Sequence, residues 1–294
     1  MSEARLQLLL ALADDELVIG HRHSHWTGVA PHLEEDLAFS SIAQDEIGHA
    51  VVWYSLAAEL TGKDGLRALA PAAPEGGDPL DVLGLGRRPE QYRNAILVER
   101  PNRDWGYTVA RHYLYDVAED VRLTALAESA WTPLADATGA LRREERYHLL
   151  HARTWLDRLA HGHVDARSHL VDGLVAAVAE SPGLFEPTEG ESELVADGVL
   201  PADSAAQRAR WRQAVSADLV AHDLEFVLDG SAHHLGGEFV PTSSGELLTE
   251  ALADGAAAAG DHGLGGRRGR HTADFAEVWE EMTGTYRAHP GARW

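Results

Sequence analysis

Two stretches about a hundred residues apart limit what this chain can become. Gln44-Asp45-Glu46-Ile47-Gly48-His49 and Glu144-Glu145-Arg146-Tyr147-His148 each set a glutamate three residues before a histidine, with a second acid just ahead of the glutamate. On a helix, residues i and i+3 face the same way, so each stretch presents a carboxylate and an imidazole side by side.

A chain with 17 histidines in 294 residues produces about one or two such pairs by chance, so the pairs alone decide little. Their setting decides more. Glu16 lies 30 residues before Glu46, and Asp116 lies 29 before Glu145. That separation suits two antiparallel helices joined by a short loop, which returns the chain to the same depth. The half-pattern of an acid, about thirty residues, then acid-Glu-x-x-His occurs twice. Paired Glu-x-x-His motifs on two helices, with one more carboxylate from each of two others, are how ferritin-like four-helix bundles hold two iron or manganese ions.

The periodicity supports the helices this needs. Leu6, Leu9, Leu10, Leu12, Leu17 and Ile19 give residues 3 to about 25 an apolar face, interrupted by Asp14-Asp15-Glu16. A solvated acidic surface is the other reading of that trio, and the spacing favours Glu16 at ligand depth. Three histidines at alternate positions (His21, His23, His25) point different ways on a helix, so they read as a helix end rather than a metal cluster. Pro31 opens a second helix to about Leu60, with Leu33, Leu37, Ile42, Ile47, Val51 and Leu56 as apolar positions and Thr61-Gly62 as its stop. Residues 62–88 read as a long loop with one short helix.

Asp104 suits the N-cap of a third helix to about Ser129, carrying His112, Asp116, Glu119 and Asp120. Asp116 shares a face with either Glu119 or Asp120, which leaves the acid used open by one turn. Pro133 starts a fourth helix to about Ala160, with Leu141, Leu149, Trp155 and Leu159 as core candidates. Further helices are expected near 168–180, 205–228, 245–258 and 272–288. No strand pattern appears, so the fold class is all-α. One domain over 1–294 is expected, with the bundle in about 3–160 and a C-terminal helical extension over about 165–294. Gly263, Gly265, Gly266 and Gly269 follow no strand and make no dinucleotide loop. Arg267-Arg268-Gly269-Arg270 suits an anion or partner contact, or plain solubility.

Composition narrows the function. Acidic residues outnumber basic ones 47 to 25, a net charge of −22, which repels nucleic acid. Cysteine is absent, so thiolate zinc sites, cysteine-ligated iron–sulfur clusters and cysteine nucleophiles are excluded. No apolar run reaches membrane length and the start lacks a signal-peptide pattern, so a cytoplasmic enzyme is expected.

Six ligands follow: Glu16, Glu46, His49, Asp116, Glu145 and His148. Glu46 and Glu145 would bridge and carry the catalytic role; Glu16 and Asp116 would each cap one metal beside a histidine. Two irons, or manganese, suit this oxygen-rich set. Asp45 and Glu144, with Asp120, are placed to support the ligands from behind.

Several stretches carry a family resemblance. Asp15-Glu16-Leu17-Val18, Trp26 and Gln44-Asp45-Glu46-x-Gly48-His49 resemble the catalytic subunit of the ring 1,2-phenylacetyl-CoA epoxidase. Leu97-Val98-Glu99-Arg100-Pro101-Asn102, Ala110-Arg111-His112-Tyr113, Arg146-Tyr147-His148-Leu149, Trp155-Leu156-x-Arg158-Leu159 and Gly269-x-His271-Thr272 near Trp294 look closer to its paralogous partner, the PaaC-like subunit. The resemblance implies a ferritin-like bundle in a multisubunit, oxygen-dependent di-iron monooxygenase of phenylacetate catabolism, acting on an aryl-CoA. It implies a homologous subunit or homodimer as partner, and a separate reductase, since no flavin or nicotinamide site is expected here. Accessory members of the family have lost ligands, whereas every ligand position here holds an acid or a histidine. A non-catalytic partner subunit is the alternative, and an iron-handling ferritin-like protein a further one.

Overall fold

The computed structural model describes residues 2–74, 76–228, 232–235, 238–241, 261–289 and 292. Helix α1 (Ser2–Ser24) and α2 (Leu33–Leu69) form one hairpin, and α5 (Trp105–Leu126) and α6 (Thr132–Ala160) form the second. The two are linked by the short α3 (Pro79–Leu85) and α4 (Ile96–Glu99). Asp104 caps α5 by accepting from the Tyr107 amide at 2.8 Å, and Pro133 sits in the first turn of α6, where its missing N–H costs nothing. Then come α7 (Val164–Glu180), α8 (Glu191–Ala196), α9 (Ser204–Val220) and α10 (Ala273–Ala288), with α7 and α9 packed on α5. The architecture is all-α, as the duplicated pattern requires. No helix among the described residues is long and apolar enough to cross a membrane.

Three local expectations change. Gly62 does break the helix geometry (φ 63°, ψ −178°), but the chain resumes helix to Leu69 instead of entering a loop. A short antiparallel hairpin, β1 (Ala232–Leu235) with β2 (Glu238–Pro241), stands where no strand was expected; Phe239-Val240 supplies the β-formers. The apolar positions of α2 do not all face inward. Phe39, Ile42, Ala43, Ala50, Trp53, Tyr54 and Ala57 are buried, while Leu33, Leu37, Ile47 and Val51 lie exposed on one outer face; Tyr147 and Leu150 of α6 are exposed as well. The helix expected at 245–258 and Trp294 lie outside the described residues.

The core is two apolar clusters separated along the bundle. One gathers Leu6–Leu12 of α1, Ala50–Ala57 of α2, Leu123 and Leu126 of α5, and Leu134 and Leu141 of α6. The other gathers Val18 and Ile19 of α1, Tyr107, Val109, Tyr113 and Leu114 of α5, and Leu149, Trp155 and Leu156 of α6, together with α7 and α9. Residues 14–16, 46–49, 116–119 and 145–148 fall between them on the four helices of the two hairpins. Each buried leucine or valine contributes roughly 1.5–3 kcal/mol, and the two layers together hold a band of polar side chains away from water.

Candidate metal centre

Glu16, Glu46, His49, Asp116, Glu145 and His148 converge in that band, none more than 4% exposed. Donor atoms of Glu16, Glu46, His49 and Glu145 lie within 4.8 Å of one another. Glu145 Oε1 sits 2.9 Å from His49 Nδ1 and 3.3 Å from His148 Nδ1, so one carboxylate oxygen faces both imidazoles. Glu16 Oε2 is 3.7 Å from His49 Nδ1, and Glu46 Oε1 is 3.7 Å from His148 Nδ1. The rings are inclined by 29°, their centroids 5.9 Å apart. Helices α1 and α2 come this close because of Gly20: a Cβ there would meet Glu46 Cβ at 2.9 Å and the Ala43 carbonyl at 3.1 Å.

The outward nitrogens are crossed between the hairpins. His49 Nε2 pairs with Glu144 of α6 at 2.8 Å, and His148 Nε2 with Asp45 of α2 at 3.3 Å. A carboxylate only accepts, so both Nε2 atoms donate and both Nδ1 atoms are left to the interior. Each acid ahead of a Glu-x-x-His thus serves the histidine of the other copy. Asp120, expected to assist, is exposed: it follows Glu119 by one residue and turns away from the buried face of α5.

Charge pairing sorts the remaining acids. Asp14 is held by the Arg87 guanidinium through both oxygens, and accepts from Tyr54 Oη at 2.5 Å and the Arg93 amide at 2.6 Å. Asp15 is bound by both Nη atoms of Arg267 at 2.8 and 2.5 Å. Glu119 is bonded to Arg122. Among the described residues, no arginine pairs with Glu16, Glu46, Asp116 or Glu145. Glu16 Oε2, both oxygens of Glu46, Asp116 and Glu145, and both Nδ1 atoms have no hydrogen-bond partner among the described residues. Buried polar atoms are rarely left this way, and seldom nine together at one point. Arg267 is therefore no solubility device: it reaches from the C-terminal segment into the core.

The electrostatics follow from this crowding. Burial, then the neighbouring Glu16, pushes the Glu46 carboxyl well above the usual range; burial and Glu145 do the same to Asp116. Burial alone would raise Glu145, but His148 and His49 outweigh it and hold it at about 2. Burial opposes charging His49 and His148, yet Glu145, with Glu16 at the first ring, raises them to about 11 and about 9.

From Asp116 a line of imidazoles runs toward the surface. His112 Nδ1 lies 3.2 Å from Asp116, His112 Nε2 3.2 Å from His151 Nδ1, and His151 Nε2 2.8 Å from Glu35. Burial keeps both rings neutral, His112 at about 3 and His151 at about 4. Residue spacing carries a faint signal of this, since His112 precedes Asp116 by four and His151 follows His148 by three, but Glu35 carries none.

A family model described as "Phenylacetic acid catabolic protein" matches residues 1–238. The chain belongs to this family. It is 30% identical over 285 residues to the C subunit of the 1,2-phenylacetyl-CoA epoxidase of Escherichia coli (strain K12), covering 97% of each chain. In this family member, three of the stretches that carried the resemblance meet in space. Glu99 accepts from the Thr272 amide and hydroxyl at 2.8 Å each and pairs with His271 Nδ1 at 2.9 Å. Arg111 donates to the Arg100 carbonyl and to Asn102 Oδ1, the latter at 2.5 Å. The Glu99 contacts tie α4 to the C-terminal segment, and the Arg111 contacts tie the residues after α4 to α5.

Proposed function

We propose that this chain is a metal-bearing subunit of an oxygen-dependent di-iron monooxygenase that epoxidises the aromatic ring of phenylacetyl-CoA or a related aryl-CoA. The observation that carries this is the convergence of six side chains whose inward donor atoms have no other partner, among acids that arginines neutralise. Four carboxylates with one imidazole per metal suit iron or manganese, and two divalent cations balance four negative charges. Glu16 with His49 and Asp116 with His148 would hold one ion each, with Glu46 and Glu145 between them. Bound iron would supply the reductive activation of dioxygen. The chain's own part is to orient and to shield. Glu144 and Asp45 fix the ring orientation of His49 and His148, which acceptors behind a metal-binding histidine ordinarily do. The apolar layers above and below keep bulk water from the band. A separate reductase would deliver electrons, and a homologous subunit or second copy would cover the exposed apolar row on α2 and α6.

Metal analysis of protein purified without chelator tests this. About two irons per chain are expected, with Glu46→Ala or His148→Ala losing metal and turnover of the reconstituted complex together; full activity in either variant rejects the proposal. A second reading, a supporting subunit without turnover of its own, draws on the relative being one subunit of an epoxidase rather than the whole of it, and on that apolar row. It predicts that the same variants still assemble and leave the activity of the complex intact.

A further inference from the structure

The C-terminal end of α1 meets α10 at three side chains that the proposed function does not use. His21 and His25 are four residues apart on one face of α1, their rings 5.1 Å apart and edge-on. Glu281 of α10 reaches both: its Oε2 is 3.2 Å from His25 Nε2 and 3.7 Å from His21 Nε2. One donor atom from each of the three lies within 4.8 Å of the others. Both Nε2 atoms are shut off from solvent and have no hydrogen-bond partner among the described residues, although the side chains are 22% and 29% exposed. The histidines at alternate positions thus divide: His23 turns into the core, and His21 and His25 stay together at its edge.

We propose that His21, His25 and Glu281 form a second, mononuclear site for a borderline divalent ion of the zinc, cobalt or nickel class. Two histidines at i and i+4 on a helix place two imidazoles for one ion, and two histidines with one glutamate make a zinc donor set that leaves a position for water. Burial, with the neighbouring positive charges, lowers both histidines from their usual value, so they offer lone pairs at neutral pH. The frame is already set: Arg22 Nη2 donates to the Glu99 carbonyl at 2.5 Å and to the Asp274 carbonyl at 3.1 Å, docking the start of α10 on α1. An ion here would staple α10 to the helix that carries Glu16. Among the described residues, the other histidine–acid group outside the band, Asp157, His161 and His222, is a poorer candidate. His161 and Asp157 are largely exposed, and His161 Nδ1 is already 3.0 Å from the Asp157 carbonyl.

This site is separate from the carboxylate band, and its test does not depend on the proposed function. Full-length protein, wild type and Glu46→Gln, is stripped of metal, dialysed against micromolar Zn²⁺ and assayed for bound zinc; Co²⁺ replaces zinc for ligand-field spectra. In both backgrounds, His25→Ala and Glu281→Gln should each remove one equivalent, with affinity falling about a hundredfold or more, since loss of an outer-shell partner alone costs 10–100-fold. Circular dichroism should stay helical, and Glu281→Gln, an exposed isosteric change, keeps the test valid should His25→Ala disturb the helix end. Zinc content unchanged in Glu281→Gln, or no equivalent sensitive to His25→Ala, overturns the site.

Discussion

Asp14, Asp15 and Glu16 are neighbours in sequence with three different environments. Arg87 neutralises the first and Arg267 the second, while Glu16 faces His49 with an unpaired oxygen. Asp15→Asn leaves the Arg267 guanidinium buried beside a neutral amide. Breaking a buried pair costs about 3–5 kcal/mol, so the urea midpoint of the metal-free protein should fall sharply. Glu16→Gln removes a carboxylate that has no arginine, so it should change that midpoint far less and reduce bound metal instead. Protonation separates the residues too. Glu145 sits below its ordinary value, so its contribution to stability is complete above about pH 4.5 and fades as pH falls toward 2. His49 sits above its own, so its contribution is complete below about pH 6.5 and fades as pH rises through about 11. Metal needs neutral imidazole, so loading must expel the protons that His49 and His148 hold at neutral pH. Iron affinity should therefore rise between pH 6 and 9, with proton release seen as a buffer-dependent heat in calorimetry. A heat independent of buffer ionisation would contradict this.

At the scale of elements, two glycines set the geometry of the first hairpin. Gly20 lets α1 lie against Glu46 and Ala43. Gly20→Val forces the helices apart at a cost of about 1–3 kcal/mol for overpacking; helical circular dichroism should survive while metal stoichiometry falls. Gly62 holds φ 63°, ψ −178°, a region open almost only to glycine. Gly62→Ala should lower stability by roughly 1–3 kcal/mol without affecting bound metal, since the kink lies beyond the site. Periodicity located the helices well because each needs a continuous apolar stripe. It erred in part on α2, where Ile42 is buried as expected, with Phe39, Ala43, Ala50 and Trp53, but Leu33, Leu37, Ile47 and Val51 point outward. A helix that offers one face to its own core and another to solvent or a partner carries two stripes, and hydrophobicity alone does not say which is inside.

For the whole molecule, α2 carries an exposed row of Leu33, Leu37, Ile47 and Val51 and α6 exposed Tyr147 and Leu150, and these same two helices carry half-exposed Asp45 and Glu144, which hold the two histidines from behind. Leu37→Glu with Val51→Glu should abolish co-elution with a homologous subunit, or self-association, on size exclusion, while iron content of the isolated chain is kept. Unaltered elution would remove the row from any interface. The C-terminal segment is tied to the same core, through Arg267 on Asp15 and through Thr272 and His271 on Glu99. The part beyond the two hairpins therefore helps to settle the charge of the first helix.

What the chain determines by itself is periodic and local: four long helices, two Glu-x-x-His faces, and acids about thirty residues upstream at matching depth, because helix geometry converts spacing directly into direction and height. Tertiary structure alone decided which acids are neutralised. Asp15 finds its cation 252 residues away, His49 and His148 exchange their supporting carboxylates across hairpins, and Asp120 faces solvent while Glu119 meets Arg122. Charge compensation joins residues that no periodicity relates, since a buried carboxylate must find its counter-charge wherever packing brings one within reach.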